Sequence, residues 1–327
     1  MTVELAPPPS SQPKILVTGA TGFVGRALLS QLSSSRFDVT AATRDEVSVG
    51  PCIQSTLVGN IGPNTDWSIA LKGVSIVIHL AARVHQMRDR HPDSLAAYRA
   101  VNAEGTKQLA LQAAMTGARQ FIFLSSVKVY GESSEAGRPF HLDSELRPVD
   151  DYGRSKMEAE AVLREIERTH GMKVTIIRSP LVYGPGVAAN FGEMIRWVSS
   201  GWPLPLGALP KNARSFVALD NLVNLITTCI DNPKAAGQTF LVSDGQDLST
   251  VDLIRRLASA MGRSPSLFSV PLWALKWIAR LVGRTHAFDR LTTSLQVDIS
   301  HTVGQLDWTP VVSQDQALSK TVAAQRT

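Results

Sequence analysis

Short apolar runs recur along the first half of the chain, separated by segments with helical patterning. Lys14-Ile15-Leu16-Val17-Thr18 reads as a buried strand. Comparable runs follow at residues 38–42, 55–58, 75–80, 120–124 and 172–178. Helical segments lie between them. One starts at Arg26-Ala27-Leu28-Leu29, a long one spans about residues 92–116, and a third covers residues 152–169. In the third, Asp150 and Asp151 precede a run of good helix formers, as expected at a helix N-terminus. Strands alternating with helices through residue 180 predict an α/β fold with a doubly wound parallel sheet of the Rossmann type. Ligands of such sheets bind beyond the carboxyl ends of the strands. Gly19 to Gly25, Ala81-Ala82 and Ser125-Ser126 all fall at such ends.

After residue 180 the pattern becomes that of a smaller, second α/β lobe. A helix is expected over residues 191–200, and residues 203–207 read as an edge strand. The longest apolar stretch, residues 270–282, contains Lys276 and Arg280 and is too short and too charged to span a bilayer. It could lie on a membrane surface as a basic amphipathic helix, but the reading favoured here is a packed helix of the second lobe. Residues 1–12 hold Pro7-Pro8-Pro9-Ser10-Ser11 and no apolar core, which predicts a flexible tail and not a secretory leader.

Composition changes this picture little. The 327 residues are 44% hydrophobic and 19% charged, as in an ordinary globular enzyme. A formal net charge of +5, with no run of Lys and Arg, argues against nucleic acid as a partner and leaves room for an anionic ligand. Cys52 and Cys229 alone make no disulfide framework, so a reducing, cytoplasmic setting is expected. No cluster has metal-ligand spacing.

Candidate chemistry begins at the first strand end. The turn Gly19-Ala20-Thr21-Gly22-Phe23-Val24-Gly25 joins a strand to a helix. Glycines there allow the backbone to approach a pyrophosphate, whose charge the helix N-terminus meets. The spacing Gly-x-x-Gly-x-x-Gly differs from the Gly-x-Gly-x-x-Gly form. At the end of the second strand, where NAD sites usually carry an acid, stand Thr43 and Arg44. An arginine suits a ribose 2′-phosphate, so NADP(H) is expected in preference to NAD(H). His79, inside an apolar strand, reads as a satisfied core histidine.

The second constellation is Tyr152-Gly153-Arg154-Ser155-Lys156. Residues four apart share a helix face, so phenol and ammonium sit together. A nearby cation favours the phenolate, which would make Tyr152 a usable proton donor and acceptor near neutral pH.

Six segments in order resemble the extended short-chain dehydrogenase/reductase family, in its nucleotide-sugar epimerase, reductase and dehydratase branch. They are Thr18 to Gly25, His79-Leu80-Ala81-Ala82, Val101-Asn102-Ala103-Glu104-Gly105-Thr106, Ser126-Val127-Lys128-Val129-Tyr130-Gly131, the Tyr152 motif, and Arg178-Ser179-Pro180-Leu181-Val182-Tyr183-Gly184-Pro185-Gly186. The resemblance covers about residues 14–310. After the tail over residues 1–12, it implies a dinucleotide-binding domain over 13–180 and a nucleotide-sugar lobe over 181–327, with the chain partly interleaved between lobes. It implies that Ser126 hydrogen-bonds the reacting sugar oxygen, that Tyr152 passes the proton, and that Lys156 binds the nicotinamide ribose and tunes Tyr152. Asn102 would pack beside the nicotinamide. Pro180 and Val182 would line the cofactor site, with Leu80, Ala81 and Ala82. Asn60-Ile61 stands where the family usually has Asp-Ile at the adenine, so that contact is expected to differ.

In the 4,6-dehydratases two carboxylates follow the catalytic hydroxyl. Here Val127 and Lys128 stand there, so elimination lacks its acid and base. A 4-ketoreductase or a 4-epimerase remains. The likeness in the second lobe implies a UDP-sugar held by Asn190, Arg214 and Arg290, since forked guanidinium donors match phosphate oxygens. The main chain of residues 203–207 would meet the uracil. The preferred expectation is reduction of a UDP-4-keto-6-deoxy-N-acetylhexosamine, of the UDP-N-acetylquinovosamine type, for surface polysaccharide. The alternative is a UDP-glucose or UDP-N-acetylglucosamine 4-epimerase, and a remote one is a non-catalytic dinucleotide-sensing protein on the same fold, which the joint presence of Ser126, Tyr152 and Lys156 disfavours. The family also suggests a homodimer through the helices over residues 92–116 and 152–169.

Overall fold

In the computed structural model, residues 12–50, 53–84, 93–135, 137–209, 212–283 and 285–325 are described. The side chains of Ala189, Asn190, His286 and Ala287 lie outside that description. So does the expected tail apart from Gln12, together with the expected helix start at Pro92 and Cys52.

The apolar runs become strands β1 (Lys14–Thr18), β2 (Asp38–Thr43), β3 (Gln54–Leu57), β4 (Ile76–His79), β5 (Gln120–Ser126) and β6 (Lys173–Ser179). Two short strands follow, β7 (Leu181–Tyr183) and β8 (Phe216–Ala218), and then β9 (Thr239–Leu241). A seven-stranded parallel sheet runs in the order β3-β2-β1-β4-β5-β6-β9, and β7 pairs with β8. Strand order reverses between β1 and β4, whose register pairs Thr18 with His79. That reversal is the topological switch point, where the chains leaving two adjacent strands diverge and open a crevice.

The helices are α1 (Phe23–Leu32), α2 (Ser94–Arg99), α3 (Gly105–Met115), α4 (Asp151–His170), α5 (Ala189–Ser200), α6 (Leu219–Asp231), α7 (Thr250–Ala260), α8 (Leu272–Leu281), α9 (Thr285–Thr292), α10 (Ser300–Leu306) and α11 (Gln314–Ala323). The helix expected over residues 92–116 is two helices joined by one π-helical turn, Ala100–Glu104. Its irregular turn holds Asn102, and such turns recur at functional sites.

The chain forms two compact units. The first comprises the described residues up to Leu124 with Glu158–Ile176, and the second comprises Ser125–Met157 with the described residues from Ile177 onward. In the first unit, Leu16, Val77, Phe121 and Phe123 from the sheet pack with Leu109 and Ala113 of α3 and Leu163 of α4. Burying side chains of this size stabilises by about 1.5–3 kcal/mol each, which fixes the strand ends that carry the site. An exposed ion pair, Arg99 to Glu158, ties α2 to α4 at 2.5 Å. In the second unit, Val127, Val129 and Tyr130 pack with Leu241, Leu295 and Val297.

Two expectations for the second unit do not hold. Residues 203–207 are not an edge strand. Leu204 makes an isolated bridge with Leu267, donating its N–H to Ser266 and accepting from Phe268. Gly207 donates to the carbonyl of Phe268. These main-chain groups are therefore spent inside the protein and not left for a uracil. Nor is α8 a packed core helix, since Ala279 is its buried residue while Trp273, Trp277 and Leu281 are exposed. Apart from Lys276 and Arg280 the ten residues are apolar, a wider arc than the packing on one side of the helix covers.

Candidate active site

At the switch point, the turn after β1 folds against the segment after β4. Gly19 has φ +68, and a Cβ there would stand 2.6 Å from the backbone nitrogen of Ala81. A Cβ on Gly25 would stand 2.1 Å from the carbonyl oxygen of Gly19. Only glycine fits at both, which explains the spacing read from the sequence. Gly22 is the N-cap of α1, and no side chain caps that helix. Thr21 lies in the turn, and Phe23 and Val24 begin α1. The first-turn N–H groups of α1 thus lack a side-chain acceptor, the arrangement that takes a phosphate.

A buried hydrogen-bond chain fixes the second wall of this cradle. The Thr106 hydroxyl donates to the Asn102 carbonyl at 2.7 Å, so it accepts from His79 Nε2 at 2.9 Å. His79 Nδ1 then accepts from the Thr18 hydroxyl at 2.6 Å, and Thr18 Oγ1 accepts the Ala81 N–H at 3.3 Å. The single-proton bookkeeping selects the Nε2–H tautomer of His79. The core-histidine reading holds, and the strand end Leu80-Ala81-Ala82 is anchored through it. Asn102 is buried and exchanges two hydrogen bonds with the backbone of Arg83, at 2.8 and 3.0 Å. Neither Thr18 nor Thr106 stood out in the sequence as more than a motif position, because the bond chain exists only once β1, β4 and α3 are assembled.

At the end of β2, Thr43 is buried, and exposed Arg44 pairs with Asp45 at 3.3 Å. Asp45 sets a carboxylate beside the arginine that the 2′-phosphate expectation relied on. Asn60 accepts from Thr65 through its carbonyl at 3.0 Å, and Ile61 packs against the first unit's core.

The second unit carries Ser126, Tyr152 and Lys156. Ser126 ends β5 and caps the turn Val127–Val129, its hydroxyl accepting the Lys128 N–H at 3.2 Å. Tyr152 lies in the first turn of α4 and is half-buried, while Lys156, one turn on, is buried. Ser155 between them is buried and donates to the Tyr152 carbonyl at 2.8 Å. A lysine is rarely buried without a partner in a defined place, so α4 holds this ammonium by design of the fold.

Lys128 joins the two elements. Its ammonium binds Glu132 at 3.1 Å and also pairs with Asp150. Asp150 in turn caps α4, accepting the Gly153 N–H at 2.7 Å. A Cβ on Gly153 would lie 2.6 Å from the Lys128 carbonyl oxygen, so the turn carrying Ser126 sits directly on the helix start carrying Tyr152. In the sequence, Lys128 was informative only as a missing dehydratase carboxylate. Ser125 is buried and its carbonyl accepts from the Ser179 hydroxyl at 3.5 Å. Pro180, buried, links β6 to β7, where Val182 pairs with Val217.

Also in the second unit is a cavity of about 290 Å³ lined by Phe191, Leu206, Phe216, Ile278, Arg214 and Arg290, among others. Phe191 lies 5.3 Å from Tyr183 in a stacked pair and 6.3 Å from Phe216 edge-on. Arg214 donates from Nη1 to the carbonyls of Arg290 and Thr293, at 3.2 and 3.1 Å. Burial, and then the charge of Arg290, pull the Arg214 guanidinium down to about 10, partly opposed by Glu132. Two guanidiniums lining one cavity are suited to an anion. Asn190 lies in α5, and its side chain is outside the described residues. Among the described residues, no group of three or more His, Cys, Asp or Glu is placed to hold a metal, and no helix is long and apolar enough to cross a membrane.

Comparison with known proteins extends this geometry. The chain is 46% identical over 311 residues to a UDP-glucose 4-epimerase of Vibrio cholerae, covering 95% of this chain and 94% of that protein. It is 29% identical over 260 residues to an N-acetyl-α-D-glucosaminyl-diphospho-ditrans,octacis-undecaprenol 4-epimerase of Escherichia coli O157:H7, covering 77% of this chain and 74% of that one. Among solved structures, it shares its fold with a UDP-glucuronic acid 4-epimerase of Bacillus cereus in complex with NAD, at a TM-score of 0.77 and 22% identity, covering 95% of this chain and 96% of that one. Residues 15–243 match the NAD dependent epimerase/dehydratase family. With its glycine turn at the switch point and its Ser126, Tyr152 and Lys156 on β5 and α4, the chain belongs to that family, the extended short-chain dehydrogenase/reductases.

Proposed function

We propose that this protein is an NAD-dependent 4-epimerase of UDP-sugars. The observation that carries the reading is the likeness to a UDP-glucose 4-epimerase at 46% identity across nearly the whole of both chains. It favours the 4-epimerase, held as the alternative in the sequence, over the 4-ketoreductase.

The residues present fit a dinucleotide. The cradle made by Gly19 and Gly25 and the uncapped start of α1 suit a pyrophosphate. The similar structure binds NAD, and Asp45 beside Arg44 disfavours a second phosphate there. NAD therefore replaces NADP as the expected cofactor. When bound, it would supply the hydride acceptor, and then the hydride donor, for C4 of the sugar. Tyr152 takes the C4 hydroxyl proton as the ketone forms and gives it back as the ketone is reduced. Ser126 hydrogen-bonds the same oxygen. The buried Lys156 favours the phenolate form of Tyr152 and binds the cofactor ribose. Arg214 and Arg290 hold the UDP diphosphate, which relieves the repulsion between them. Leu80, Ala81, Ala82, Asn102, Pro180 and Val182 line the cofactor. No net oxidation occurs, so no reductant is consumed. Association as a dimer through α2, α3 and α4 completes the reading.

The test is proton NMR of UDP-glucose and of UDP-N-acetylglucosamine incubated with the purified protein and no added reductant. Appearance of the matching C4 epimer is expected. If neither sugar changes, while a UDP-4-keto-6-deoxy-N-acetylhexosamine is reduced with stoichiometric NADPH oxidation, the enzyme is a reductase.

A further inference from the structure

Helix α8 carries a surface that the reaction does not use. Trp273, Trp277 and Leu281 are spaced four apart and lie along one face of the helix. They are 76%, 61% and 67% exposed. The opposite side of α8 faces the cavity that holds Arg214, which Leu275, Ile278, Ala279 and Val282 help to line, with Ala279 buried. The stripe of Trp273, Trp277 and Leu281 thus points away from that cavity. Lys276 and Arg280, both exposed, flank the stripe on one side. No Asp or Glu lies between Asp252 and Asp289, a span that contains Arg263, Lys276, Arg280 and Arg284. Trp202 is exposed in the same unit, and Trp197, also exposed, lines the same cavity as α8.

We propose that α8 docks the protein on the surface of an anionic lipid bilayer, with Trp273, Trp277 and Leu281 in the headgroup region and Lys276 and Arg280 against lipid phosphates. A helix of ten residues is about 15 Å long, which lies in an interface but does not cross it. Tryptophan and leucine beside lysine and arginine, without acids, match the chemistry of that interface. A second copy of the chain fits less well. A two-fold contact through one helix would bring Lys276 and Arg280 near their own copies, and one exposed stripe falls short of the roughly 800 Å² per partner of a stable interface. The proposal does not rest on the reaction assigned above.

The test is co-sedimentation with vesicles of phosphatidylcholine alone and of phosphatidylcholine mixed with phosphatidylglycerol, using the full chain. Binding to the anionic vesicles should exceed binding to the neutral ones by about tenfold and fall with salt. Trp273→Ser with Trp277→Ser should cut it by about tenfold, and Lys276→Glu with Arg280→Glu should do the same with both tryptophans kept. All four side chains are exposed, so each variant should keep the wild-type melting temperature and its turnover of a soluble UDP-sugar. Folded wild-type protein that stays in the supernatant with every vesicle overturns the proposal. So does binding that survives both variants. A wild-type dimer in sedimentation velocity that Trp273→Ser with Trp277→Ser splits, with no vesicle binding, also overturns it and assigns the stripe to a second copy.

Discussion

Lys128 contributes backbone and side chain to the start of the helix that carries Tyr152. Its carbonyl abuts Gly153, and its ammonium pairs with the Asp150 that caps α4. This holds the Ser126 turn and the Tyr152 helix in one place without the Ser126 hydroxyl or the Tyr152 phenol bearing the load. Tyr152→Phe removes one oxygen and leaves that clamp intact. The variant should keep NAD and UDP binding and its melting temperature, while turnover falls by ~10²–10⁴-fold, the usual worth of an acid–base group. Turnover above about a tenth of wild type in the C4-epimer assay would remove Tyr152 from the proton path. Tyr152 and Lys156 were legible in the sequence because a spacing of four is a local property of a helix. The Lys128 to Asp150 pair was not, because its partners are 22 residues apart and belong to different elements.

At the scale of elements, the strands and helices of the first unit followed the apolar periodicity closely, because a parallel sheet covered on both faces requires continuous apolar runs. Elements with mixed surroundings did not. The π-helical turn around Asn102, the bridge at Leu204 and the exposed face of α8 depend on what packs beside them. The junction of β7, α6 and the segment after β9 is another such place. Asp244 accepts hydrogen bonds from the Ala218 N–H, Asn221 Nδ2 and the Tyr183 hydroxyl, at 2.8, 2.7 and 2.7 Å. Burial, and then the charge of Asp244, push the Tyr183 phenol well above its ordinary value, so it stays the donor. Burial raises the Asp244 carboxyl above 3.8 despite its three donors. The folded state then binds this proton more tightly than the unfolded state, so the contribution of Asp244 to stability is present below pH 3.8 and is lost as pH rises through the elevated value. Asp244→Asn keeps an oxygen for Ala218 and Asn221, and its amide can donate to Tyr183 with that bond reversed. Urea unfolding at acid and neutral pH should show the variant gaining on wild type as pH rises. A gap that is flat with pH, or that moves the other way, would contradict the raised carboxyl.

At the scale of the whole molecule, the two sets of candidate site residues lie in different units. The dinucleotide cradle belongs to the first, and Ser126, Tyr152, Lys156 and the two-arginine cavity belong to the second. The chain crosses between units within β5, α4 and β6. Family and fold class could be read from motif order alone. The choice between reductase and epimerase could not, because both use the same residues and differ only in where the hydride comes from and goes to. An epimerase returns the hydride it removed, so the label on C4 stays with the sugar. UDP-glucose carrying deuterium at C4 puts that difference to a direct test by mass spectrometry and NMR. The account predicts UDP-galactose with deuterium retained at C4 and no requirement for added NADPH. Product with hydrogen at C4, or product formed only as NADPH is consumed, would contradict it.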